Sequence, residues 1–86
     1  MYKLVIAEGA NREFSKLHKK DRAKYEQVKK KVTQITENPY IGKPLTGDIK
    51  NTRRVHVGEH VLTYEIYENE QAVKILRYTH HDDAYK

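Results

Sequence analysis

Polar and apolar positions alternate most clearly between residues 53 and 67. Val55 and Val57 alternate with Arg54 and His56 ahead of Gly58-Glu59, and Leu62, Tyr64 and Ile66 alternate with Val61, Thr63 and Glu65 beyond it. That period of two predicts a pair of half-buried strands. A two-residue turn at Gly58-Glu59 pairs Val57 with His60, His56 with Val61, Val55 with Leu62 and Arg54 with Thr63. Directly paired residues point to the same side of a sheet. One face of the hairpin is therefore Val55, Val57, Leu62, Tyr64 and Ile66, and the other carries Arg54, His56, Val61, Thr63 and Glu65. A slip of one residue would mix the two sets, which fixes the register.

The rest of the chain supplies partners for the apolar face. Tyr2, Leu4 and Ile6 alternate with Lys3 and Val5, predicting a strand over residues 2–7 that Gly9 ends. Ala10, Phe14 and Leu17 recur at helical spacing and predict a helix of about two to three turns. Asp21 is suited to cap a second helix, whose stripe is Tyr25, Val28, Val32 and Ile35 and which Asn38-Pro39 stops. Residues 39–52 read as an irregular segment anchored by Leu45. After a turn at Asn69-Glu70, Ala72–Tyr78 reads as a central strand covered on both faces, because Val73, Ile75 and Leu76 include adjacent apolar positions. The order β-α-α-β-β-β predicts an α+β fold: an N-terminal strand, an antiparallel helix pair, then a three-stranded antiparallel meander. Length predicts one domain spanning residues 1–86.

Composition narrows the partners. The chain is 37% hydrophobic and 34% charged, with a formal net charge of +5. A basic surface favours polyanions, nucleic acid or an acidic protein. The Lys29-Lys30-Lys31 run reads as a solvated helix face, with contact to an RNA backbone as the other reading. There is no cysteine, hence neither disulfide nor thiolate metal site. No apolar run approaches the roughly 20 residues that span a bilayer, and the first residues lack the form of a signal peptide. The expected setting is cytoplasmic, away from membranes.

Candidate chemistry sits on the side of the hairpin not assigned to the core. Arg54 and His56 share it, and a tail leaving the last strand could bring His80, His81 and Tyr85 near them. Cutting an RNA phosphodiester without metal needs a base for the 2′-hydroxyl proton, cations for the charged phosphorane and an acid for the leaving oxygen. Histidine suits both proton-transfer roles, and arginine suits the phosphate. Tyrosine can stack on a base or move a proton. Solvated surface histidines are the plainer reading of the same spacing. His80-His81-Asp82-Asp83 also invites a metal, but extended chain alternates sides, so at most two of the four could face one ion. No metal or other cofactor is expected. His60, on the core side near the turn, reads as a packed or edge histidine. Most of the tyrosines read as packing residues, leaving Tyr40 and Tyr85 as exposed aromatics.

With these residues in view, the sequence resembles the RelE/ParE superfamily of type II toxin–antitoxin toxins. The resemblance spans nearly the whole chain and includes Pro44-Leu45-Thr46-Gly47, Leu62-Thr63-Tyr64 and the ending His81-Asp82-Asp83-Ala84-Tyr85-Lys86. Arg53-Arg54-Val55-His56-Val57 and Thr79-His80 look most like the histidine-using YafQ branch. The resemblance implies an mRNA interferase: an endoribonuclease that cuts messenger RNA, often on the ribosome, and is held inactive by a cognate antitoxin. It implies functional roles for His56, for His80 or His81, and for Tyr85, with Arg53, Arg54 and Arg77 as RNA-binding cations. Many RelE-type toxins carry an arginine where this chain has Val61; either Arg54 or Arg77 substitutes for it, or activity is weak, or the protein acts differently. Two other functions fit the same fold: a ParE-like inhibitor of DNA gyrase, and a module retained only for binding antitoxin.

Overall fold

The structure is a computed structural model that describes residues 1–45 and 51–81. The chain runs β1 (Lys3–Ile6), α1 (Glu8–Lys20), α2 (Arg22–Glu37), a 3-10 turn (Pro39–Ile41), β2 (Lys43–Pro44), β3 (Thr52–Val57), β4 (His60–Tyr67) and β5 (Ala72–His80). The strands form one sheet in the order β1-β5-β4-β3-β2, with β1 parallel to β5 and the other neighbours antiparallel. This is the expected α+β fold of a strand, a helix pair and a meander. The short β2 is an addition inside the segment read as irregular.

Asp21 joins the helices and serves both. Its backbone amide donates to the Leu17 carbonyl at 2.8 Å, closing α1, and its carboxylate accepts from the Lys24 amide at 3.1 Å, capping α2. Glu8 in the first turn of α1 and His18, Lys19 and Lys20 in its last turn complement the helix dipole, and α1 reaches 13 residues, longer than its three-residue stripe suggested. Asn38 ends α2 at φ −148°, as expected before proline, and its side chain accepts from the Tyr40 amide.

The hairpin has the predicted register, from Val57 with His60 to Arg54 with Thr63. Gly58 takes φ +61°, a value open to glycine at the first position of a tight hairpin turn. The helices cover one face of the sheet: Ala10, Phe14, Val28, Val32 and Ile35 meet Leu62, Tyr64, Ile66, Val73, Ile75 and Tyr78 in one cluster. Full burial of each large apolar side chain here contributes about 1.5–3 kcal/mol. Leu45 is half-buried and stands outside that cluster; the fully buried Pro39 pins this part of the chain instead.

Strand β5 is central as expected, but Leu76 has a different cause. Thr63 pairs with Arg77 and Tyr64 with Ile75, so Leu76 is the extra residue of a β-bulge and is only half-buried. The bulge changes the parity of the strand. Ile75 and Tyr78 both reach the helix side, while Arg77 and Thr79 turn to the open side. The ladder then continues to His80, which pairs with His60, so His80 belongs to the strand and not to a tail.

Candidate active site

On the face away from the helices, side chains line up in rows across the strands. Lys43, Arg54, Thr63 and Arg77 form one row; His56, Val61 and Thr79 form the next, nearer the hairpin turn. The His81 amide donates to the Glu59 carbonyl at 2.8 Å, tying the end of β5 to the hairpin turn. From that anchor the His81 ring stacks on His56, with centroids 5.4 Å apart and 28° between planes. Both imidazoles are exposed. Val61 is fully buried although it is not part of the main core. Its short side chain stands in the row between His56 and Thr79.

Of the sequence-derived candidates, the fold therefore gathers Arg54, His56, Arg77 and His81. It separates two others. Arg53 shares a row with Tyr64 on the helix side, donates to the Gly42 carbonyl at 2.7 Å and lies 4.9 Å from the centre of the Tyr40 ring. Tyr40 in turn donates to Glu68 at 2.6 Å, as Tyr2 does at 2.8 Å. The hydrogen bond to that carboxylate pushes the Tyr40 hydroxyl up to about 12. Arg53 thus holds the 39–42 segment against the sheet, and Tyr40, though exposed, is tied down with it. His80 falls on the opposite face from His56. It stands edge-on to His60 at 5.3 Å and lies 3.9 Å from the Glu59 carboxylate. Tyr85, Asp82 and Asp83 lie outside the described residues. Among the described residues, no three of His, Asp or Glu converge to hold an ion.

His60 is the packed histidine its position suggested. Its ring lies flat on Tyr78, centroids 4.6 Å apart and 10° from parallel. Burial chiefly, with His80 and Lys24 adding to it and Glu59 opposing, lowers its pKa from the ordinary histidine value. A histidine that is harder to protonate when folded binds fewer protons than in the unfolded chain, so stability is full above the unfolded pKa and falls as pH drops through it. Thermal unfolding should show a Tm that declines on acidification below about pH 6.5, and His60→Gln should flatten that decline. An equally steep decline in the variant would assign the effect elsewhere.

Periodicity alone makes the α2 residues outside the apolar stripe a solvated face. The fold puts four of them, Gln27, Lys30, Lys31 and Gln34, along a groove that ends at His56. Their spacing of three, one and three residues was the available signal.

Comparisons with known proteins agree with this architecture. The model of the family described as ParE toxin of type II toxin-antitoxin system, parDE, matches residues 4–85. A candidate toxin of Methanocaldococcus jannaschii, RelE4, is 33% identical over 87 residues, covering 100% of this chain and 93% of its own. Among solved structures, the toxin in the intact E. coli RelBE toxin-antitoxin complex superposes with a TM-score of 0.79 at 25% identity, covering 93% of this chain and 96% of that one. The YoeB/ParE toxin from Agrobacterium tumefaciens shares the fold, with a TM-score of 0.81 at 19% identity over 92% of this chain and 98% of its own. A family match over nearly the whole length, a relative at one-third identity and the shared sheet and helix pair lead to one assignment: the chain belongs to the RelE/ParE superfamily of type II toxin–antitoxin toxins.

Proposed function

We propose that this toxin is a metal-independent endoribonuclease that cuts messenger RNA and so inhibits translation. The observation that carries the reading is the contact of the His56 and His81 rings on the open face, one row from Arg54 and Arg77. A single phosphodiester can come within hydrogen-bond reach of both rings. His56 takes the proton of the 2′-hydroxyl, whose oxygen attacks phosphorus; His81 gives its proton to the departing 5′-oxygen. Arg54 and Arg77 balance the charge that builds on the equatorial oxygens. The products are a 2′,3′-cyclic phosphate and a 5′-hydroxyl. In the absence of an arginine at position 61, these two cations from the neighbouring row supply the phosphate contact. Tyr85 is assigned to base stacking by resemblance alone and carries no step here.

The E. coli relative is solved in complex with an antitoxin, which supports a cognate antitoxin as the partner that silences this chain. The test is direct: purified toxin incubated with messenger RNA, alone and on programmed ribosomes, should leave fragments ending in a cyclic phosphate. A second reading is favoured by the family model itself, which is that of ParE: a protein-binding inhibitor of DNA gyrase with no chemistry of its own. Inhibited supercoiling with RNA left intact in both settings would replace the nuclease by that inhibitor.

A further inference from the structure

Strand β3 is only half covered along its outer edge. The two residues of β2 pair with Arg53 and Arg54 alone, so among the described residues no strand lies on the outer side of Val55–Val57, opposite β4. Helix α2 runs past this uncovered edge, and between them lies a groove of about 440 Å³ lined by Gln27, Lys30, Lys31 and Gln34 on one side and His56, Val57 and Gly58 on the other. The four helix residues occupy one stripe beside the buried one, a turn apart at each end.

Its chemistry is that of a strand-binding channel. Both lysines bring a positive charge to the wall, and among the described residues neither has a carboxylate within ion-pair distance. The glutamines above and below offer donors and acceptors without sequence bias. Val57 and Gly58 add small, uncharged surface beside His56 on the facing side. Lys29 of the same run points elsewhere, to an apolar hollow lined by Leu4, Ile6, Phe14 and Val28. The groove is continuous with His56, so a strand engaged there would run onto α2.

We propose that the α2–β3 groove binds the single-stranded RNA flanking the scissile phosphate, with Lys30 and Lys31 neutralising two backbone phosphates. This deepens the nuclease reading and rests on it for the identity of the strand. The lysines act by holding substrate, not by chemistry. Sequence-independent backbone contact of this kind is recognised by its salt dependence, since each neutralised phosphate of a single strand steepens the slope of log affinity against log salt by about 0.7.

The test measures binding apart from cleavage. A fluorescent single-stranded 2′-O-methyl oligonucleotide, which lacks the attacking hydroxyl, is titrated with the wild-type chain, with Lys30→Gln/Lys31→Gln, and with Lys19→Gln/Lys29→Gln, which removes the same charge away from the groove. The groove variant should bind about tenfold more weakly near 0.1 M salt and lose about 1.4 units of salt slope, while the control stays within about twofold of wild type. In cleavage assays the groove variant should show a raised KM with kcat retained. Equal losses in the two double variants, or a loss confined to antitoxin binding, would overturn the proposal. The outcomes separate the two claims: groove-dependent binding without any RNA cleavage would remove the nuclease reading alone, and cleavage with groove and control variants indistinguishable would remove the groove alone.

Discussion

The double variant His56→Ala/His81→Ala should cut RNA about 10²–10⁴-fold more slowly than the wild-type chain, with its Tm and its affinity for uncleavable RNA little changed. The two ring centroids stand 5.4 Å apart on the exposed face and neither residue belongs to the core cluster, so removing them takes chemistry and leaves packing. Because a base and an acid acting in one displacement are not additive, each single alanine variant should lose nearly as much as the double. His80→Ala is the informative companion. Its imidazole pairs with His60 on the helix side and is adjacent in sequence to His81, so a position-blind account of a histidine-rich terminus would expect it to matter as much. The rows of the sheet say otherwise: cleavage by His80→Ala should stay within a few-fold of wild type. Full activity in the His56→Ala/His81→Ala chain, measured by primer extension on cut messenger RNA, would end the assignment of these rings to proton transfer.

That contrast shows where the sequence was legible and where it was not. The β3–β4 register could be read directly, since an alternating pattern on both arms of a two-residue turn admits only one pairing that keeps Val55, Val57, Leu62, Tyr64 and Ile66 together. The two ends of α2 were legible for a related reason: Asp21 and Pro39 act through local chemistry that needs no tertiary partner, whereas Gly9, expected to end the first strand, lies inside α1, which starts at Glu8. The choice between His80 and His81 was not legible. It depends on the parity of β5, and the bulge at Leu76 changes that parity by one residue. Read as an unbroken strand, Ile75 on the core side would put Arg77 and Thr79 there as well and aim His80 at the open face. The signal was present in the spacing of three between Ile75 and Tyr78, but adjacent apolar residues are equally consistent with a strand buried on both faces. Arg53 was obscure in another way. Its neighbour Arg54 has the opposite orientation, and only the close approach of the 39–42 segment explains why a guanidinium is needed on the helix side.

That segment carries the largest expected effect on stability. Tyr64 is fully buried in the middle of the sheet, and its hydroxyl donates to the Pro39 carbonyl at 2.6 Å while accepting from the Gly42 amide at 3.0 Å. Both partners belong to buried residues, and the approach is close enough that a side chain at position 42 would collide with the Tyr64 hydroxyl and the Arg54 carbonyl. In Tyr64→Phe the ring is kept and packing is unchanged, but a carbonyl and an amide lose their partner in a place water does not reach. Each such orphan costs about 1–3 kcal/mol, so the variant should be less stable by about 2–6 kcal/mol, a fall in Tm on the order of 10–40 °C for a chain of this size. Tyr40→Phe, which removes an exposed hydroxyl from Glu68, should stay within a few degrees of wild type. The loss should also reach the open face. The 39–42 segment delivers β2, whose Lys43 stands opposite Arg54, so loosening it frees the edge of the row that carries the phosphate-binding cations. Below its lowered Tm, Tyr64→Phe should therefore cleave RNA with a higher KM and a nearly unchanged kcat, because His56 and His81 are held from the hairpin turn and not from β2. A Tm within two or three degrees of wild type would mean that the hydroxyl does not hold this segment to the sheet.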